Sequence, residues 1–335
     1  MTDLSEFPRV SLAHLPTPLE PLPRLSRELG GPPIWLKRDD CTGLATGGNK
    51  TRKLEFLMGE ALSRKADTIL CFGALQSNHV RQTAAAAARL GLACHAILSD
   101  IVRYREPAYD VSGNLLLDEL LGATVHIVRE PENAQRVVQE IVGELKREGR
   151  THYAIPVGGS SAVGALGYVG CANELSQQAR ELGLRISLVT HASSSVGTQA
   201  GLLAGFAAQG SDVRVRGFNV YSDDPAGQRA ALVSLCAEVC AELGVAPIAE
   251  ERIDISSEFI GGGYGEPSPE TLAAIRLVAR CEGVLLDPVY SGKAMAGLIE
   301  TIRRGDLAAD EPVVFIHTGG SAGLFAYRDA LARER

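Results

Sequence analysis

The 335-residue chain has no apolar run of the roughly 18 residues that a membrane-spanning helix needs. It has no excess of positive charge either. Against 33 Lys and Arg stand 40 Asp and Glu, a formal net charge of −7. Phosphate backbones and anionic lipid select basic surfaces, so neither nucleic acid nor membrane is expected as a partner. The first ten residues, MTDLSEFPRV, carry acids where a secretory leader has a basic and then an apolar stretch. Cysteine never occurs as CxxC. Cys41, Cys71, Cys94, Cys171, Cys236, Cys240 and Cys281 are scattered and odd in number, which reads as reduced thiols in a cytoplasmic protein. No metal site is expected. Cys236 and Cys240, four apart on a helical pattern, read as small buried apolar side chains.

The common nucleotide signatures are missing too. A phosphate-binding GxxxxGK[ST] loop is approached at Gly43 and Gly48, but Asn49 intervenes before Lys50 and Thr51. The preceding KRDDCT is polar and does not read as the strand such a loop follows. GxGxxG does not occur. GGGYGEP at Gly261 crowds its glycines without a helix of the required kind behind it.

What is there is an alternation of strand-like and helix-like segments. A helix begins at Lys50, with Leu54, Leu57, Met58 and Leu62 on one stripe. ADTILCFGA reads as a buried strand. SNHVRQTAAAAARLG reads as a helix capped by Ser77 or Asn78 and stopped by Gly91. CHAILS, TVHIV, HYAIP, ISLVTHA and VRVRGFNV read as further strands. SGNLLLDELLG, Ala134 to Glu148 and GTQAGLLAGFAAQG read as helices. VLLDPVY and PVVFIHTGG look like strand ends running into loops. The fold class expected is α/β, with mostly parallel twisted sheets and helices on both faces. The length exceeds one ordinary core, so two domains are expected.

Ligands in such sheets bind beyond the carboxyl ends of the strands. Four hydroxyl- and glycine-rich loops fall there: Gly73 to His79, Gly158 to Ser161, Ala192 to Thr198 and Thr318 to Ser321. SSSVGTQAGL follows a strand and opens a helix, a form that suits a phosphate or plain capping equally. Ser77 and Asn78 are ordinary caps or a carboxylate-binding helix end. His79 taken singly reads as structural. Together with Lys50, these features match what pyridoxal phosphate chemistry requires: an amine nucleophile, a phosphate cradle and a carboxylate site.

Five blocks in order carry a family resemblance: GGNKTRKLEFL, QSNHVRQTAAAAA, PVGGSSAVGALGY, LLDPVYSGKAMAGLI and FIHTGGSAGLFAY. The chain resembles the D-cysteine desulfhydrase and 1-aminocyclopropane-1-carboxylate deaminase family from about Leu15 to Tyr327. These are pyridoxal 5'-phosphate enzymes of the tryptophan synthase β-like fold, fold type II. The resemblance implies a large cofactor-binding domain, 1–48 plus 164–335, and a small inserted domain, 49–163, with the cofactor in the cleft. It also implies a homodimer and a small amino-acid substrate.

By the same resemblance, Lys50 binds the cofactor covalently and Asn78 bonds its phenolic oxygen. Ser193, Ser194, Ser195, Val196, Gly197 and Thr198 hold its phosphate. Ser291 and Thr318 lie near the pyridine nitrogen. Ser77, Asn78, His79, Gly159, Tyr264 and Tyr290 line the substrate side, with Lys50, Ser77, Tyr264 and Tyr290 as the catalytic set. Deaminases of the cyclopropane substrate resemble one another in a glutamate after the tyrosine of DPVY, where this chain has Ser291. A neutral hydroxyl there weakens the electron sink and favours expulsion of a good leaving group. The expected reaction is therefore α,β-elimination from a 3-substituted alanine, as in the desulfhydrases, releasing pyruvate, ammonia and sulfide. L-Cysteate, losing sulfite, is the alternative, because Ser194 stands where the family's loop commonly has glycine. The cyclopropane deaminase remains a further alternative. So do a nucleotide-dependent enzyme and a non-catalytic amino-acid-binding protein.

Overall fold

The computed structural model describes residues 2–104 and 106–332. The strands are β1 (Leu19–Pro21), β2 (Ile34–Lys37), β3 (Thr68–Ala74), β4 (Ala93–Ser99), β5 (Thr124–Val128), β6 (His152–Ile155), β7 (Leu188–Ser193), β8 (Arg214–Asn219), β9 (Asp254–Ser256) and β10 (Val313–Ile316). The helices are α1 (Pro23–Leu29), α2 (Lys50–Ser63), α3 (Asn78–Leu90), α4 (Gly113–Leu120), α5 (Ala134–Arg147), α6 (Ala162–Glu181), α7 (Gly197–Ala208), α8 (Pro225–Glu242), α9 (Pro269–Glu282), α10 (Ser291–Arg303) and α11 (Arg328–Ala332).

The strands form two sheets. A six-stranded sheet has the order β1-β2-β10-β7-β8-β9, and a four-stranded sheet the order β5-β4-β3-β6. Every pairing is parallel except β1 with β2. Central parallel strands are covered on both faces, which is why β3 (TILCFGA) and β10 (VVFI) read as unbroken apolar runs. Both sheets aim the carboxyl ends of their strands at one region.

Glycine sets how closely the layers approach there. A Cβ on Gly167 of α6 would stand 2.4 Å from the Arg52 carbonyl of α2. One on Gly201 of α7 would stand 2.2 Å from the Ala165 carbonyl of α6. Helices α2, α6 and α7 therefore touch backbone to backbone, and the start of α2 comes beside the start of α7.

Two local expectations are corrected. Val284 to Tyr290 is not a strand. Its chain turns at Asp287, whose carboxylate accepts the backbone N–H groups of Val289, Tyr290 and Ser291, each at 2.9 Å, and so opens α10. Leu62 is not part of the buried stripe of α2; it is 38% exposed. Between Thr51 and Gly59 that helix is buried all round, because it is wedged between the two sheet systems. Its Leu54, Leu57 and Met58 join the core around β3 and α3, while Phe56 joins the core around α6 and α7. A one-sided pattern cannot describe a helix with neighbours on both sides.

Among the described residues, no helix is long and apolar enough to cross a membrane, and no group of three or more His, Cys, Asp or Glu could hold a metal ion.

Candidate active site

At the mouth of both sheets lies a cavity of about 420 Å³, within the range of small-molecule sites. Its wall takes residues from every loop singled out in the sequence. Lys50, Ser77, Asn78, His79, Ser193 to Val196, Thr198, Tyr264, Tyr290 and Thr318 all line it. Three expected residues do not. Gly197 lies one layer back, with its N–H 3.3 Å from the Ser160 hydroxyl. Gly159 turns away at φ +61°. Ser291 is buried, donating its hydroxyl to Asp287 at 2.6 Å and lying 3.5 Å from the Gly319 carbonyl. Of the pair expected at the ring nitrogen, only Thr318 reaches the wall.

Lys50 is the first residue of α2. Its Nζ donates to the Gly158 carbonyl at 3.1 Å, and the Lys53 Nζ donates to the same oxygen at 3.2 Å. Among the described residues, no carboxylate lines the cavity. Burial pushes the Lys50 amine down to about 8. It drives Lys53 well below the ordinary lysine value, and the neighbouring Lys50 charge drives it further. An amine so depressed is a competent nucleophile near neutral pH. His79 is held neutral by burial and by both lysines, which outweigh the opposing effect of the Pro156 backbone.

Across the cavity is the turn from Ser193 to Val196. The Gln228 amide donates to the carbonyls of Ser193 (3.3 Å) and Ser194 (3.0 Å), and Val220 N–H donates to that of Ser193 (3.1 Å). With its carbonyls tied back, the turn offers its N–H edge. Val196 precedes α7 at φ +55°, a costly conformation for a β-branched residue and one that recurs where function demands it. Val196 gives α7 no side-chain cap; the Gly197 N–H is taken by Ser160 and the Ser195 carbonyl, and the N–H groups of Thr198 and Gln199 are left for a ligand.

The donor set fits pyridoxal phosphate. Gly158, at φ +66°, lets the two halves meet: a Cβ there would stand 2.1 Å from the Ser195 hydroxyl and 3.3 Å from the Lys50 Nζ. On the far side, a Cβ on Gly197 would stand 2.8 Å from the Lys53 Nζ. A depressed amine thus shares one cavity with a helix start, and a second lysine that has only neutral acceptors lies behind the wall. The carboxylate side is equally built. Ser77 caps α3 by accepting Val80 N–H at 3.2 Å and faces the cavity beside the free first-turn amides. Opposite, the Tyr264 and Tyr290 hydroxyls hydrogen-bond each other, and burial holds both phenols well above their ordinary value.

The model of the family described as pyridoxal-phosphate dependent enzymes matches residues 10–319. The chain belongs to that family. A D-cysteine desulfhydrase of Salmonella choleraesuis (strain SC-B67) is 45% identical over 324 residues, 97% of this chain and 97% of that one. One of Klebsiella pneumoniae is 45% identical over 331 residues, 99% of each. The crystal structure of an ACC deaminase homologue superposes with a TM-score of 0.88 at 39% identity, covering 98% of this chain and 96% of that one. This pyridoxal-phosphate enzyme therefore keeps the α/β architecture expected of it.

The sequence by itself assigns no site role to Lys53, Asn49 or Tyr221, and marks Gly158 only as the start of a glycine-rich loop. Lys53 had a signal, since it stands three residues after Lys50 and so shares its helix face. Asn49 holds Thr198 by donating Nδ2 to its hydroxyl at 3.1 Å, a link across 149 residues that no local pattern carries. Tyr221 packs edge-on against Tyr264, with ring centroids 5.1 Å apart.

Proposed function

We propose that the protein is a carbon–sulfur lyase that eliminates sulfide from cysteine, in the D form named for its relatives. One cysteine and one water give pyruvate, ammonia and hydrogen sulfide. The observation that carries the choice of leaving group is the charge of the wall. Among the described residues, Lys50 is the only cationic side chain lining the cavity. A thiol needs no cation, whereas the sulfonate of cysteate would stand opposite neutral tyrosines and the apolar Ile101 and Val157.

The residues divide the work. The α3 N-terminus and the Ser77 hydroxyl hold the substrate carboxylate. Once freed, the Lys50 amine takes the Cα proton, a step for which a positioned base contributes 10²–10⁴-fold. Bound pyridoxal phosphate supplies the sink for the electron pair left on Cα. The Asn78 amide would face its phenolic oxygen, and Lys53 with the Ser193 to Thr198 turn would hold its phosphate. Thr318 would offer a neutral hydroxyl toward its ring nitrogen. The Asp287 carboxylate is already engaged by Ser291 and three backbone N–H groups. A weaker sink suits a leaving group that departs readily, so sulfide is favoured over cyclopropane opening. The Tyr264 and Tyr290 hydroxyl pair gives the departing sulfur its proton.

In this reading 49–163 is the small domain, 1–48 plus 164–335 the large one, and their approach excludes water from the cleft. The enzyme acts in the cytoplasm as a homodimer. The seven free thiols favour a reducing compartment, and Val111, Leu120 and Phe325, 69–72% exposed, favour a covered face.

The test is a substrate panel on the holoenzyme: D-cysteine, L-cysteine, L-cysteate and the cyclopropane amino acid. Sulfide, sulfite, pyruvate and 2-oxobutyrate are assayed. Sulfide and pyruvate in equal amounts from D-cysteine are expected. Sulfite from L-cysteate as the main product, or 2-oxobutyrate from the cyclopropane, would overturn the reading.

A further inference from the structure

The amide of Asn78 has two ends of nearly equal shape and opposite chemistry. Turned one way it presents N–H donors to the cavity, turned the other way a carbonyl oxygen. Facing a phenolic oxygen, donors favour its ionised form, and a carbonyl favours the protonated form. The difference between the two is a half-turn about one bond, so something outside the cavity must set it.

We propose that Arg81 and Asn114 set it, acting as positioning residues that aim the Asn78 NH₂ group at the cofactor. The inference rests on the reading above, in which Asn78 faces the phenolic oxygen. Arg81 is wholly buried in α3. It donates Nη2 to the Gly47 carbonyl at 2.7 Å, and Nη1 to the Asn114 Oδ1 at 2.9 Å and the Asn78 Oδ1 at 3.3 Å. A guanidinium has only donors, so whatever faces it must be an oxygen. That fixes the Asn114 amide with its oxygen toward Arg81 and its nitrogen away.

The Asn114 Nδ2 then donates to the Gln76 carbonyl at 2.9 Å and to the Asn78 Oδ1 at 3.0 Å. Gln76 pins Asn114 a second time, its Oε1 accepting the Asn114 backbone N–H at 2.8 Å. Asn78 therefore has its oxygen held by two donors on the side away from the cavity. Its Nδ2 has no hydrogen-bond partner among the described residues and lies at the wall. One permanent cation thus propagates polarity through two amides. Asp118 and Asp287 are the carboxylates whose charge acts on Arg81.

The experiment compares holoenzymes carrying Asn78→Ala, Asn114→Asp, Arg81→Lys and the double variant Asn78→Ala/Asn114→Asp. Each is followed by the visible absorption of the lysine-bound cofactor against pH, and by kcat and KM. A carboxylate at position 114 keeps its bond to Arg81 but repels the Asn78 oxygen and draws its nitrogen. Asn114→Asp is expected to move absorbance from the visible to the near-ultraviolet band and to lower kcat about 10²-fold, the scale for one lost donor, with a smaller change in KM. Arg81→Lys, which keeps the charge but loses the fork, is expected to move the spectrum the same way by less. It serves where Asn114→Asp does not fold. The double variant should match the spectrum of Asn78→Ala, because the network acts only through that amide. Unchanged absorption in both Asn114→Asp and Arg81→Lys, while Asn78→Ala shifts it, would overturn the positioning role alone. So would a second, independent shift in the double variant. An unshifted Asn78→Ala would instead sink the placement of Asn78, and this inference with it.

Discussion

Arg52 and Lys53 are consecutive on α2, 2% and 1% exposed, yet they meet opposite surroundings. Arg52 points into the body under the six-stranded sheet. It donates to Asp39 at 2.8 and 2.9 Å and to Glu174 at 3.0 Å, while Tyr168 and Thr17 complete the Asp39 carboxylate. Lys53 points to the Gly158–Ser160 loop beside the cavity and finds one carbonyl and one hydroxyl, each at 3.2 Å. Burial opposes both charges. For Arg52 the carboxylates outweigh it, and the guanidinium is held well above its ordinary value. For Lys53 nothing does, and the amine falls. A paired buried charge belongs to the fold, and an unpaired one stays available to a ligand.

Four changes test that contrast, in order of expected effect. Lys50→Ala removes both the attachment point and the base, so turnover of cysteine should fall by about 10⁴-fold or more, while thermal unfolding of the apoprotein changes little or improves. The yellow colour bleached by borohydride should vanish with it. A variant that keeps a reducible cofactor on another lysine would break the assignment.

Arg52→Met should do the reverse. It strands Asp39 and Glu174 and should cost about 3–5 kcal/mol of stability in urea unfolding. Burial raises the Asp39 carboxyl and the Arg52 charge more than offsets it, leaving a net depression. A depressed carboxylate contributes stability above its unfolded value and loses it in acid. The wild type should therefore weaken as pH falls below roughly 4, and the variant should show less of that slope.

Lys53→Met removes one charge-assisted contact to the cofactor phosphate. Cofactor affinity, measured by titration of the apoprotein, should drop about 10- to 100-fold, the scale of a hydrogen bond to a charged group. Stability rises with pH here as it does for Asp39, but across an alkaline window and because the cost of a buried charge is relieved. The folded chain binds fewer protons than the unfolded chain between the depressed lysine values, about 8 for Lys50, and roughly 10.4 in the unfolded state. Apoprotein stability should therefore rise with pH across that window, and less so in Lys53→Met. A flat profile in the wild type would erase the contrast between the two side chains.

Ser77→Ala is the smallest. Loss of the cap should cost about 1 kcal/mol. KM should rise more than kcat falls if the hydroxyl holds the substrate carboxylate.

The legible parts of the molecule were those whose signal is local. Helix α3 ran from its Ser77 cap to Gly91 as its residues indicate, and Lys50 opened α2 as the glycines before it suggested. β3, β4, β7 and β10 stood out as apolar runs. Val284 to Tyr290 misled, because an apolar stretch ahead of a turn looks like a strand whether or not a neighbour pairs with it. Ser291 was drawn to the site by its place in DPVYS, but its hydroxyl is committed to Asp287 four residues back. Leu62 followed the helical stripe and still faces solvent, since α2 is packed from two sides.

The sequence by itself determined the elements, the caps, the glycine loops at the strand ends and the lysine that begins α2, because each is written in neighbours within a few residues. It could not say which buried charges would be satisfied. The partner of Arg52 stands 122 residues away in Glu174, and the Ser160 hydroxyl beside Lys53 stands 107 away. Only the tertiary structure decided that the first met carboxylates and the second met none, since the Coulomb energy of a buried ion depends on what the fold brings within a few ångströms.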